Sequence, residues 1–270
     1  PELGRRAYFV TGAASGIGAA LVRKLLSLGA RVCAADLNTV PLTNLAQAAQ
    51  DPAQLLTCAL DVRSPEQWEA AYAQAERRFG RIDALFNVAG VIRPGWLTEI
   101  TPQDIDFHMD INTKGVMLGT ALAARRMKAQ GGGHIINIAS LAGIAPVPGI
   151  ALYSASKFAV RGFSLAVAQE LAPLGIKVSV VCPDAVQTPM LDLQIAREQA
   201  AMTFSGDRFL SADEVVAACL RALQQAPIEV TLPLSRGLIA KLASAFPGLN
   251  RLMLNQLRRK GLRKQQQMQH

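Results

Sequence analysis

Acidic residues are missing from the end of this chain. Between Thr231 and His270 there is no Asp or Glu, yet there are eight basic residues: Arg236, Lys241, Arg251, Arg258, Arg259, Lys260, Arg263 and Lys264. The other 20 Lys and Arg balance the 20 Asp and Glu, so the formal net charge of +8 belongs to the tail. Cysteine is scarce as well. Cys33, Cys58, Cys182 and Cys219 lie far apart, without a CxxC or a Cys/His cluster, which offers no spacing for a disulfide framework or a zinc site. They read as buried thiols in a reducing compartment. His108, His134 and His270 are equally scattered, and no metal is expected. No run of about 20 apolar residues escapes Gly, Pro and charge, and no basic-then-apolar leader opens the chain. The expectation is a soluble, cytoplasmic protein. With 270 residues, half of them apolar, the chain can bury a substantial core.

What is present is a regular alternation. Short apolar runs rich in strand formers (AYFVTG, ARVCAAD, LLTCALDV, IDALFNVAG, HIINIAS, IKVSVVCP and IEVTLP) are separated by amphipathic helical stretches. Nearly continuous apolar strands between helices predict an α/β domain, a doubly wound parallel sheet with helices on both faces. We place this α/β domain at residues 1–232 and a basic amphipathic helical extension at 233–270.

The first strand runs into VTGAASGIGAAL, whose Gly12, Gly16 and Gly18 surround Ser15 and Ile17. Glycines at a strand-to-helix turn let backbone approach a pyrophosphate, which the helix N-terminus attracts. A tight structural turn is the plain alternative. Asp36 ends the second strand, 18 residues after Gly18, at the distance where a carboxylate meets ribose hydroxyls and repels a 2′-phosphate. With Leu37 and Asn38 following, and no cation inside the turn, the expected cofactor is NAD rather than NADP. Asp36 as a simple turn residue is the competing reading.

A second constellation lies downstream. Ser140 ends a strand on the ligand side of the sheet, and Tyr153 and Lys157 are four apart at a helix start, hence on one face. An ammonium beside a phenol favours its ionised form, so Lys157 is expected to lower the Tyr153 pKa and fit it for proton exchange with an alcohol.

Together with Asp61 and Val62, NVAG at Asn87–Gly90, Asn112 in NTKG, the YSASK run at Tyr153–Lys157 and PDAVQTP from Pro183, these motifs resemble the short-chain dehydrogenase/reductase family, from about Arg6 to Leu232. The resemblance implies a Ser140–Tyr153–Lys157–Asn112 centre for hydride transfer between an alcohol or ketone and a nicotinamide. It implies cofactor contacts from the glycine turn, Asp36, Asp61, Val62, Asn87, Ala89, Gly90, Tyr153, Lys157, Val186 and Thr188. Asn112 would position a water in a proton relay. The family pattern is broken at Val88, usually Asn, and at Asp184, usually Gly. Asp184 reads as a turn residue or as a negative charge at the pocket. Homodimers or homotetramers are common in the family.

Leu141–Leu152 and Met190–Phe209 are expected pocket walls, and their apolar character suits a small lipophilic substrate of steroid, terpenoid, long-chain or aromatic type. Completing the core or an oligomer contact would explain them as well. Reduction of a 3-oxoacyl thioester or a ketosphinganine-type ketone is the enzymatic alternative; a non-catalytic NAD-sensing scaffold is the alternative of another class. In the tail, Leu238, Ile239, Leu242, Ala245 and Phe246, then Leu249, Leu252, Met253 and Leu257, follow helical spacing on either side of Pro247–Gly248. Two readings stand: peripheral contact with an anionic membrane, or a subunit-contact helix ending in solvated charge. Nucleic acid is not expected, since the charged end has no aromatic residues.

Overall fold

The computed structural model describes residues 3–269, with the side chains of residues 48 and 249–253 excepted. All seven expected strands form: β1 Ala7–Thr11, β2 Arg31–Asp36, β3 Leu55–Ala59, β4 Ala84–Asn87, β5 Gly133–Ile138, β6 Ile176–Pro183 and β7 Glu229–Leu232. They pair in parallel in the order β3-β2-β1-β4-β5-β6-β7. The order reverses between β1 and β4, and a crevice opens there beyond the strand ends.

Between the strands run α1 Gly16–Ser27, α2 Val40–Ala48, α3 Pro65–Phe79, α4 Pro102–His108, α5 Gly115–Ala129, α6 Ala151–Leu171, α7 Pro189–Ile195 and α8 Ala212–Gln225. After β7 come α9 Leu234–Ala245 and α10 Pro247–Met268. The sequence presents 101–130 as one helical pattern. In the structure α4 passes into α5 through a π-helical segment, Met109–Lys114, which carries Asn112.

Helices cover both faces of the sheet, so every β1 residue is buried. Tyr8 and Val10 face one core layer with Leu21, Leu25 and Cys219. Ala7 and Phe9 face the other with Trp68, Tyr72, Cys33 and Cys58, and Phe9 stacks on Tyr72 with ring centroids 5.5 Å apart. This double burial explains why the strands read as unbroken apolar runs rather than alternating ones. Cys182 lies in a third cluster with Ala139, Leu141 and Val180. All four thiols are free and buried, with the Cys33 and Cys58 sulfurs 3.6 Å apart. Among the described residues no helix is long and apolar enough to cross a membrane.

Candidate active site

The glycine turn sits at the crevice. Gly12 has φ +65°, and a Cβ there would come within 2.8 Å of the Ala89 backbone, so the β1 and β4 ends can meet only through glycine. The Thr11 hydroxyl oxygen fastens the same junction by accepting the backbone N–H groups of Val88 (3.0 Å) and Ala89 (3.1 Å). Val88, despite replacing the family's Asn, keeps its place in the turn. The Ser15 hydroxyl caps no backbone N–H of α1, and the first residues of the helix, Gly16, Ile17 and Gly18, line the cavity.

Asp36 both braces its turn and lines the cavity. Its carboxylate accepts the Ala14 N–H (2.9 Å) from the glycine turn and the Asn38 N–H (2.8 Å) from its own turn, while lining the cavity. Asp61 and Val62 line it too, beside Arg63, a residue that sequence reasoning passed over. Arg63 grips Asp61 through both carboxylate oxygens, with Nη2 2.7 Å from Oδ2, and this hydrogen bonding lowers the Asp61 pKa.

Ser140, Tyr153 and Lys157 line the same cavity, with Tyr153 hydrogen-bonded to Ser140. Lys157 is buried and its Nζ donates to the Ile138 carbonyl (2.9 Å), 5.7 Å from the centre of the Tyr153 ring. The expected pKa effect is reversed in this geometry. Burial pushes the Tyr153 phenol up to about 12 despite its hydrogen bond with Ser140, and burial brings Lys157 down to about 8. Desolvation opposes both charges here and outweighs the attraction that the four-residue spacing predicts.

Two motif residues turn away from the cavity. Asn112 is fully buried: its amide donates to the Val91 carbonyl (2.9 Å) and Ser156 Oγ (2.9 Å), and its oxygen accepts the Val91 N–H (2.7 Å). Asn87 donates to Asn137 Oδ1 (2.8 Å) and Thr120 Oγ1 (3.3 Å) inside the core. Neither side chain lines the cavity, whereas Gly12, Ser15–Gly18, Ala89, Gly90, Val186 and Thr188 do.

The chain matches the family model described as short chain dehydrogenase over residues 6–199. It belongs to the short-chain dehydrogenase family. A family relative, the 3-alpha-(or 20-beta)-hydroxysteroid dehydrogenase of Mycobacterium tuberculosis, is 38% identical over 183 residues, 68% of this chain and 70% of that one. The 3-oxoacyl-[acyl-carrier-protein] reductase of Thermotoga maritima is 35% identical over 209 residues, covering 76% and 85%. A solved short-chain dehydrogenase/reductase from Burkholderia phymatum, in complex with NAD, superposes with a TM-score of 0.81 at 27% identity, covering 91% of this chain and 95% of that one. As a short-chain dehydrogenase the chain is an oxidoreductase with a nicotinamide-cofactor site, and the residues present fit that group: a glycine cradle, a free helix N-terminus and a carboxylate at the end of β2.

The cavity of about 810 Å³ is walled as expected by Leu141, Ala142, Val147 and Ile150 and by Met190, Leu191 and Met202. The third wall comes from the tail. Ile239, Ala240 and Ala243 of α9 and Leu254 and Leu257 of α10 line it, and Arg236 of α9 pairs with Asp184. Asp184 is therefore neither a lone charge nor a simple turn former. The side chains of Leu249, Leu252 and Met253 lie outside the described residues. On α9 Leu234, Leu238, Ile239 and Leu242 are exposed, as is Phe246 just after it.

Proposed function

We propose that this chain is an NAD-dependent dehydrogenase that interconverts a lipophilic secondary alcohol and its ketone. The observation that carries this reading is the convergence of the glycine cradle, Ser140, Tyr153 and Lys157 on one cavity with apolar walls. A bound nicotinamide supplies the hydride acceptor or donor. Ser140 Oγ orients the substrate oxygen; the ionised Tyr153 oxygen takes the alcohol proton in oxidation, and the protonated phenol returns it in reduction. Lys157, 5.7 Å from the centre of the Tyr153 ring, holds a positive charge near that phenol and would hold the nicotinamide ribose of a bound cofactor. Asn112 acts as a positioning residue, since its amide is committed to Val91 and Ser156.

NAD is favoured over NADP by the carboxylate of Asp36, followed by exposed Leu37 rather than by a cation. Arg63 is already engaged by Asp61. The apolar walls, with a hydroxysteroid dehydrogenase among the relatives, support a lipophilic alcohol. The Thermotoga relative supports 3-oxoacyl thioester reduction as the second reading. Initial rates with NAD and with NADP across lipophilic and polar alcohols test the proposal. The expected outcome is turnover with NAD on lipophilic alcohols, falling by at least about 100-fold in Tyr153→Phe. A clear preference for NADP, or an unaffected Tyr153→Phe, overturns it.

A further inference from the structure

The family model ends at residue 199, yet Arg236, Ile239, Ala240, Ala243, Leu254 and Leu257 of the tail line the cavity. The tail is fastened over it in detail. Among the described residues, basic side chains of the tail pair with acids of the preceding body: Arg236 with Asp184, Lys241 with Glu229 (2.9 Å), Arg258 with Glu198 (2.5 Å) and Lys260 with Asp207 (2.6 Å). Lys264 donates to the Gly206 carbonyl (3.0 Å), and buried Gln265 donates to the carbonyls of Gln194 (3.0 Å) and Arg197 (2.9 Å). At Gly261 the helix backbone lies so close to the turn Glu198–Phe204 that a Cβ would come within 1.8 Å of the Ala201 carbonyl oxygen. Much of the positive charge is thus spent on holding α9 and α10 against the segment that walls the pocket.

We propose that α9 and α10 form a strap that sets substrate specificity, with Leu254 and Leu257 fixing the bulk of lipophilic substrate the cavity accepts. The proposal rests on reading the cavity as the substrate pocket. Its physical basis is that these side chains supply apolar wall to the same cavity as Leu141, Ala142, Val147 and Ile150, while Gln265 and the ion pairs fasten their helix to the body. Shortening a wall residue deepens the pocket, and enlarging it fills the same space.

The test uses the full chain as wild type, Leu257→Ala, Leu257→Trp and, on the exposed outer face of α10, Arg263→Ala. One readout is kcat/KM across secondary alcohols of increasing bulk; the other is binding of the apolar fluorophore 8-anilinonaphthalene-1-sulfonate, which needs no chemistry. Leu257→Ala is expected to shift the bulky-to-small preference at least tenfold toward bulky alcohols. Leu257→Trp is expected to shift it tenfold the other way and to weaken fluorophore binding at least tenfold, with Arg263→Ala unchanged in both. An unmoved preference and unmoved fluorophore affinity overturn the strap, as does failure of every chain to bind the fluorophore. Should the wild type turn over no alcohol, the proposed function fails on its own, and the fluorophore affinities still decide for or against the strap.

Discussion

Tyr153 and Lys157 show how burial governs a residue pair that looks purely coulombic in one dimension. With the phenol near 12, the ionised fraction available as a base rises about tenfold per pH unit through the neutral range. Alcohol oxidation should therefore climb with pH and slacken above about 8, where Lys157 loses its proton. Ketone reduction needs the protonated phenol and should not fall for that reason over the same range. Initial rates in both directions between about pH 6 and 9 check this, and equal slopes in the two directions would contradict it. His134 makes a separate prediction about stability. Ser179 Oγ donates to the Pro227 carbonyl, so His134 Nε2–H donates to Ser179 Oγ (2.9 Å), and burial depresses the imidazole pKa to about 4. The unfolded chain binds this proton near pH 6.5 and the folded chain only near 4, so stability falls as pH drops through that window, approaching about 3 kcal/mol. Urea unfolding at the two ends of the window should show the loss in wild type and a smaller one in His134→Gln.

At the scale of elements, two helical glycines respond oppositely to the same change. Gly162 in α6 has no heavy atom within 4 Å of an added Cβ, so Gly162→Ala should stabilise by up to about 1 kcal/mol through helix propensity. Gly261→Ala meets the Ala201 carbonyl, and the clash should outweigh that gain, costing about 1–3 kcal/mol. Thermal melts read both signs. The strands and the glycine turn were legible because their signals are local: apolar runs, and Gly12 directly after β1. The π segment at Met109–Lys114 was not, because a single wider turn inside a long helical run has no residue signature of its own, and the inward commitment of Asn112 depends on that turn. Asn87 was placed correctly at the end of β4, but its partners Asn137 and Thr120 come from distant positions.

For the whole molecule, the cavity gathers residues from Gly12 to Leu257, and that breadth limited what the sequence could tell. The amphipathic character of the tail was readable; which surface its apolar side would meet was not, since Arg236 and Asp184 are 52 positions apart. The four cysteines turn this same closed architecture into an instrument. Cys33 and Cys58 lie in one core layer, Cys219 in the other and Cys182 in a third cluster, so a thiol reagent reaches them only when the fold opens. A ligand that binds only the folded chain slows such opening by mass action, about 100-fold at 100 times its Kd. Labelling rates measured in NAD and then in NADP should thus rank the two cofactors, NAD protecting more, before any substrate for this oxidoreductase is in hand.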